Sequence, residues 1–465
     1  MKVRFLLGVA AASQLALTVN AAEPEKLPNI VFVLVDDMGI GDVNCYFEQS
    51  KIKTPHLDEL ASKSLQFMQH YSGSTVSAPS RCCLMTGKHT GNAYVRGNKG
   101  TVSEKGRFDL HLPKEEITVA ELLRGKGYAT MCVGKWGLGG PGTSGSPVNK
   151  GFDYFFGYLS QSEAHRYYPE YLYENEKKVQ LNKKVYSHFL IMEKGLEFIK
   201  KQKNGQPFFA YFAITPPHAD LDYPDLSQYE DSFDETPFVN NQKKGGFKSQ
   251  AKPKAAYAAM VSEIDANVGQ IIALLKKKQV WDNTIFIFSS DNGVHHVGGH
   301  DPDFFDSNGP FRGYKRDLYE GGVRTPFIVS WPEVIKEHRK TSHIATFWDF
   351  LPTVCEIADI EIPGNTDGLS YLPTLLNRER QQREHDFVYY EFYEEGGKQS
   401  ILKDGWKLVR LNLSKPEKLK EELYYLPDDI GEAKNLIGVN SEKADELRKL
   451  AMEQHTESIN FKWEK

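Results

Sequence analysis

The sequence predicts an α/β chain: a mainly parallel sheet sandwiched by helices, with a smaller C-terminal α+β domain carrying an antiparallel sheet. Three observations carry that prediction. The early apolar runs are continuous rather than alternating, helix-period segments stand between them, and short aromatic runs take over near residue 380. A continuous apolar run is a strand covered on both faces, which is the condition of a parallel sheet with helices on either side.

Taken in order, NIVFVLVDD (29–37) is the first such strand, and it ends in two aspartates. YATMCVGKWG (128–137) is the second, preceded by the helix-like TVAELLRGKG. PFFAYFAITPPHA (207–219) and NTIFIFSSDNG (283–293) are the third and fourth. Ahead of the fourth, Met260, Ile264, Val268, Ile271 and Leu275 recur at helical spacing. TPFIVSWP (325–332) supplies a fifth strand, and FLPTVCEIA another amphipathic helix. Beyond residue 380, FVYYEFYEE, QSILKDGWKLVRL and EELYYLPDD read as short strands between Gly-, Lys- and Asp-containing turns, closed by the helix EKADELRKLAMEQH. The division is therefore 1–21, 22–380 for the α/β domain, and 381–465 for the antiparallel domain.

Residues 1–21 read as an address. Lys2 and Arg4 precede the apolar run FLLGVAAASQLAL, and VNA offers small or short residues for cleavage near Ala21, the pattern of a secretory signal peptide. The run is short for a membrane span and Gln14 interrupts it, and no later stretch reads as a span. The expectation is a periplasmic or secreted chain. A formal charge of −5 over 465 residues gives no reason to expect nucleic acid as a partner. Five scattered cysteines argue against a disulfide framework, and no Cys/His spacing suggests zinc.

The informative feature is where the polar residues fall. Four strands end in a reactive group: Asp36–Asp37, Lys135, His218 and Asp291–Asn292. Any one alone reads equally well as a turn or a helix cap. Together they converge on one crevice, because ligands of an open parallel sheet bind outside the carboxyl ends of its strands. Three carboxylates and an amide carbonyl are hard oxygen ligands suited to Ca²⁺ or Mg²⁺. With Lys135, Arg81 and Lys315 beside them, the site suits a tetrahedral oxyanion, phosphate or sulfate. His218 is a candidate acid for the leaving oxygen.

SAPSR followed by LMTGK resembles the signature of the sulfatase family, Cys or Ser-x-Pro-Ser-Arg with a downstream Leu-x-Thr-Gly. VLVDDMGIGD, GKWGLG, GFDYFFGY, TPPHA, SDNG, KRDLYEGGVRTP and ELYYLPDDIGEAKNL are similar to sulfatase blocks in the usual order. The likeness is to the type I, formylglycine-dependent branch and to exported Bacteroides-like glycan sulfatases. It implies the alkaline-phosphatase-like fold and a formylglycine at Ser77, made from serine by a serine-type maturation enzyme. The adjacent Cys82 and Cys83 lie outside the signature's geometry. By the same resemblance, Asp36, Asp37, Asp291 and Asn292 hold Ca²⁺ and the modified Ser77 completes the shell. Arg81 steadies the hydrate, Lys135 and Lys315 hold sulfate, and His218 protonates the leaving alcohol. One position departs: Gly137 stands where the family block has histidine, with His89 and His165 as candidate substitutes.

An unmodified serine is a weak nucleophile that needs an activating base, whereas a hydrated aldehyde carries a second hydroxyl able to expel sulfate. The polar and aromatic loops SQSEAHRYYPEYLYEN and GVHHVGGHDPDFFDSNGPFRG suit sugar hydroxyls and sugar faces. They resemble sulfatases acting on galactose or N-acetylgalactosamine sulfates, the 4-position included. Arg96, His165, His300 and Asp301 are the candidate substrate contacts. Three classes stand: a carbohydrate sulfatase, a phosphoryl-ester or phosphonate hydrolase of the same superfamily, and a non-catalytic binder of sulfated glycans should Ser77 be unmodified.

Overall fold

The strand Asn29–Asp36 is the axis of the molecule, and all eight of its residues are buried. Its side chains divide by parity, as an extended backbone requires. Ile30, Phe32 and Leu34 enter one core with the helices Ser77–Thr86, Val119–Gly125 and Phe350–Ile357. Val31, Val33 and Val35 enter a second core with Pro55–Ala61, Ser187–Lys201 and Pro253–Lys277. Two cores on two faces explain why this strand reads as an unbroken apolar run. The computed structural model describes residues 26–463 apart from 99–100, 104–105, 109, 204 and 243–244. Residues 1–21, expected to be a signal peptide, lie outside the described residues.

Among the described residues, the sheet has ten strands in the order 339–346, 65–71, 327–330, 284–290, 29–36, 208–217, 129–135, 154–158, 171–174, 177–180. Its middle is parallel: 284–290, 29–36, 208–217, 129–135 and 154–158 run the same way. The four strands expected to end in reactive groups are therefore four consecutive neighbours. TPFIVSWP differs from its neighbours, because Phe327–Ser330 runs antiparallel to both 284–290 and 65–71. Lys135 reaches the crevice through a close approach just before it. Gly134 has φ +106, and a Cβ there would lie 2.0 Å from the carbonyl oxygen of Ala213, so only glycine fits.

The helix Pro253–Lys277 is long and apolar enough to cross a membrane, with mean hydropathy 1.3 over its best window. It is instead the central helix of the second core, with Met260, Ile264, Val268 and Ile271 fully buried.

Val388–Phe392, Lys398–Lys403, Trp406–Leu411 and Lys420–Tyr425 form the antiparallel second sheet. One face packs on the helix Ser441–Glu453 through Tyr389, Ile401, Leu408 and Leu423. The other face, with Val388, Tyr390, Phe392 and Val409, joins the first core of the large sheet. Buried charge also crosses here. Glu320 takes Lys407 at 2.8 Å, Arg324 at 3.0 Å and the Tyr71 hydroxyl at 2.9 Å, and Lys407 also meets Glu432 at 3.0 Å. Removing one member of such a network leaves the others charged and dry. Lys407→Met is expected to cost roughly 3–5 kcal/mol of stability, read as a lower urea midpoint at unchanged slope.

Candidate active site

Asp36 and Asp37 are adjacent, yet both face the crevice. In an extended strand they would point to opposite faces, but Asp37 is left-handed at φ +63 and turns the chain at that point. Opposite them stands the helix Ser77–Thr86, every residue of which is buried. Ser77 occupies its first turn, where backbone N–H groups and the helix dipole favour negative charge. Its N-cap, Val76, has no side-chain oxygen to offer. Asn98 accepts from the Ala78 N–H at 3.1 Å instead, capping the helix from outside.

The Ser77 hydroxyl donates to Asp36 Oδ1 at 2.8 Å and accepts from Lys135 Nζ at 3.1 Å. Lys135 also donates to Asp36 Oδ2 at 2.5 Å. Arg81, one turn on from Ser77, donates through Nε and Nη2 to Asp291 Oδ2 at 3.2 and 2.8 Å, and through Nη1 to the Lys135 carbonyl at 2.9 Å. Ser80 holds the Asp291 carbonyl at 2.5 Å. Lys315 donates to Asp37 Oδ2 at 2.7 Å and lies 3.1 Å from His218 Nε2. Nδ1 of His218 meets the Ala219 carbonyl, which assigns the ring proton to Nδ1 and leaves Nε2 to accept from Lys315.

Burial opposes every charge here, and the outcome depends on the neighbours. For Asp36, burial pushes the carboxyl up, but Lys135, His218, Arg81 and Lys315 together hold it well below the usual carboxylate range. Asp291 goes the other way: burial and the nearby Asp36 push it up to about 7, against Arg81. Burial lowers Lys135 despite Asp36. Lys315 is raised, because Asp37 and Asp36 outweigh its burial. Burial and Lys315 hold His218 well below the usual imidazole value. The two cysteines are no rivals to Ser77. Both are buried and free, and burial pushes the Cys82 thiol up to about 11 and that of Cys83 well up.

The residues fit a hard divalent cation. Ligand atoms of Asp36, Asp37 and His218 lie within 4.8 Å of one another. The Asn292 amide donates to Asp37 Oδ1 at 2.7 Å, while its own Oδ1 is buried with no hydrogen-bond partner. A buried carbonyl oxygen without a donor, beside three carboxylates, is an acceptor arranged for a cation.

Other sequence candidates fall elsewhere. Arg96 is turned away from the crevice, its guanidinium bonded to Ala93, Glu391, Tyr393 and Thr456, so it is a bridge to the second sheet and not a substrate contact. His89 sits beyond the far end of the Ser77 helix beside Asp367 and Trp348, which rules it out as a replacement at residue 137. His165 does come to the site, its ring stacked 4.3 Å from His218. His300 is one layer back, stacked 3.6 Å on Tyr257 and 5.1 Å from His295, which is itself 5.7 Å from His218. Asp301 caps the Phe304 N–H at 3.0 Å. Both border an open cavity of about 590 Å³ with Phe238, Phe247 and His296. A side chain at Gly137 would collide with Gln161, whose Nε2 lies 1.7 Å from the Cβ position. Gln161 thus takes the space that a histidine at 137 would need. His295, Asn98 and Tyr167, which donates to the His218 carbonyl at 2.7 Å, were not singled out by sequence.

The sequence pattern that defines the sulfatase family matches residues 28–360. The chain belongs to the sulfatase family. A second pattern, described as the C-terminal part of N-sulphoglucosamine sulphohydrolase, matches residues 309–459 of this sulfatase. It is 32% identical over 386 residues to human N-acetylgalactosamine-6-sulfatase, covering 77% of this chain and 67% of that one. It is 29% identical over 431 residues to human steryl-sulfatase, covering 78% and 72%. The fold is that of a solved structure described as Ps i-CgsB in complex with k-i-k-neocarrahexaose, at TM-score 0.77 and 24% identity over 94% of each chain. The sulfatase is a sulfuric ester hydrolase.

The oxygen set predicts measurable metal linkage. Ca²⁺ added to chelator-treated protein is expected to raise the melting temperature, by about 2.7 kcal/mol of stabilisation at a hundred times Kd. Asn292→Ala is expected to weaken that response, and Asp37→Ala to abolish it. Equal calcium responses in all three proteins would place the cation elsewhere.

Proposed function

We propose that this sulfatase hydrolyses a sulfate ester of a carbohydrate, a galactose or N-acetylgalactosamine sulfate, with residue 77 oxidised to formylglycine. The observation that carries the reading is the setting of Ser77. It lies in the first turn of a buried helix, 2.8 Å from an aspartate held ionised and 3.1 Å from a lysine. The sugar class is supported by the identity with N-acetylgalactosamine-6-sulfatase.

Residues Asp36, Asp37, Asp291 and Asn292 would hold a Ca²⁺, or a Mg²⁺, whose positive charge faces the ester oxygens. Formylglycine supplies, once hydrated, a second hydroxyl on the same carbon, so release of sulfate needs no attack by water on a stable sulfated serine. Asp36 accepts the proton of the attacking hydroxyl. Lys135 and Lys315 grip the sulfate oxygens, and Arg81 fixes Asp291 and the first turn of the helix. The leaving alcohol draws its proton from the Lys315–His218 pair, because the resting Nε2 of His218 accepts from the lysine ammonium. His165, stacked on His218, and the rim of the Phe247 cavity meet the sugar. Export to the periplasm or beyond and oxidation by a serine-type maturation enzyme complete the reading.

Mass spectrometry of the peptide bearing residues 77–81, paired with turnover, tests it. Protein from a host that oxidises serine is expected to carry an aldehyde at 77 and to be active. Ser77→Ala is expected to lose activity by at least about 10³-fold while keeping its fold. Full activity with residue 77 shown to be intact serine overturns the proposal.

A separate comparison tests the proton. His218→Ala is expected to slow sugar sulfates about 10²-fold more than aryl sulfates, whose phenolate needs little protonation. An equal loss on both substrates assigns His218 to sulfate binding instead. Turnover of a steroid sulfate in preference to every sugar sulfate would move the substrate toward the steryl-sulfatase relative.

A further inference from the structure

Two parts of the crevice, the Ser77 helix and the segment carrying Lys315, come from opposite ends of the large domain. One carboxylate, in the turn between the first two strands of the second sheet, touches the supports of both. Oε1 of Glu394 accepts from the Asn98 N–H at 3.0 Å, and Asn98 is the residue that caps Ala78, next to Ser77. Oε2 of the same carboxylate takes Arg316 Nη1 at 2.7 Å, and Arg316 follows Lys315 directly. We propose that Glu394 is a positioning residue, whose two oxygens set the spacing between the Ser77 helix and the Lys315 segment. The inference rests on the roles given above to Ser77 and Lys315.

The surroundings of Arg316 show why its place must be held. Its backbone is left-handed at φ +81, a conformation that an arginine does not adopt unaided. It is clamped from three directions. Its N–H donates to the Thr75 carbonyl at 3.0 Å, two residues before Ser77. Its carbonyl accepts from Lys398 Nζ at 2.9 Å. Its guanidinium takes Glu394 and, at 3.3 Å, Glu395. Glu395 is itself left-handed at φ +56 and also holds Lys398 at 2.8 Å. This turn of the chain sends Lys315 inward to Asp37 and His218 while Arg316 faces the second sheet. Releasing the guanidinium removes one of the three clamps on the turn, leaving the two backbone bonds, without removing any group from the crevice.

The arrangement separates positioning from stability. The Arg316–Glu394 pair is partly solvent-exposed, with side chains 38% and 26% accessible, and such pairs contribute little to folding. Geometry in the crevice is another matter, since a misplacement of about 1 Å costs up to about 10²-fold in rate.

The test uses the full-length, matured enzyme with Glu394→Ala, Glu394→Asp, Glu394→Gln and Arg316→Met. Glu394→Ala is expected to lower kcat about 10- to 100-fold with KM changed less than about 3-fold and the melting temperature nearly unchanged. Glu394→Gln keeps an acceptor for Asn98 and loses the charge for Arg316, so its loss is smaller and matches that of Arg316→Met. The two changes combined are expected to cost no more than either alone. Glu394→Asp, with a shorter reach, restores at most part of the rate. Hydrogen exchange gives a reading independent of turnover: in Glu394→Ala, amides around 77–79 and around 313–317 are expected to exchange faster together. Faster exchange in both segments with kcat within 2-fold of the parent overturns the positioning role and leaves the Ser77 reading intact. Unchanged exchange in one of the two segments shows that no coupling exists and overturns it as well. Loss of the Ser77 reading appears separately, as activity retained in Ser77→Ala.

Discussion

The structure depends on balancing six acidic and basic groups in one buried crevice. Asp36, Asp37, Asp291 and Lys135 are buried at the ends of neighbouring strands, and Arg81 from the Ser77 helix and Lys315 from the segment before Glu320 are buried or nearly so beside them. Removing an isolated charge from water costs far more than the stability of a domain. The groups persist because each touches at least one of opposite sign: Arg81 with Asp291, Lys135 with Asp36, Lys315 with Asp37. The backbone serves that pairing. Glycine at 134, a left-handed turn at Asp37 and a helix start at Ser77 each aim a side chain at the same volume. The result is a preorganised field of paired positive and negative groups focused on one crevice.

Much of this was legible in the sequence, for a physical reason. Strands covered on both faces leave continuous apolar runs, and a polar residue closing such a run has only the sheet's end in which to sit. Asp36–Asp37, Lys135, His218 and Asp291–Asn292 were readable on that ground, and the sulfatase blocks supplied Ser77, Arg81 and Lys315. What escaped has reasons as well. The strand Leu65–Tyr71 mixes Gln and His into its apolar residues and looked like no strand in particular. The helix Ser77–Thr86 is buried all round, so it shows no amphipathic stripe to betray it. Arg96 read as a substrate contact because a loop arginine near the signature gives no hint of its direction. Asn98 and Glu394 carried no signal at all, since their contact spans 296 residues of chain.

The second sheet is more than an appendage. It shares the first core of the large sheet through Val388, Tyr390 and Phe392, and the Tyr390 hydroxyl reaches the Ser72 carbonyl at 2.6 Å. Glu320 and Lys407 join the two sheets with buried charge, only a few residues beyond Lys315. The crevice is therefore walled by the large sheet but braced from the small one. A division drawn at residue 380 separates two sheets that share the first core, while the small sheet keeps a core of its own on the helix Ser441–Glu453.

That shared core has a consequence for the order in which the molecule can be made. The strand holding Asp36 is synthesised some 250 residues ahead of its neighbour 284–290 and of the Asp291 that pairs with its end. The antiparallel sheet that finishes the first core arrives only after residue 388. Until then one side of the Ser77 helix and the flank of Phe350–Ile357 lack their cover. Vectorial synthesis thus cannot complete the crevice piece by piece. Closure is a long-range event, of the kind that loop entropy makes slow, and the crevice stays open until these later segments have emerged.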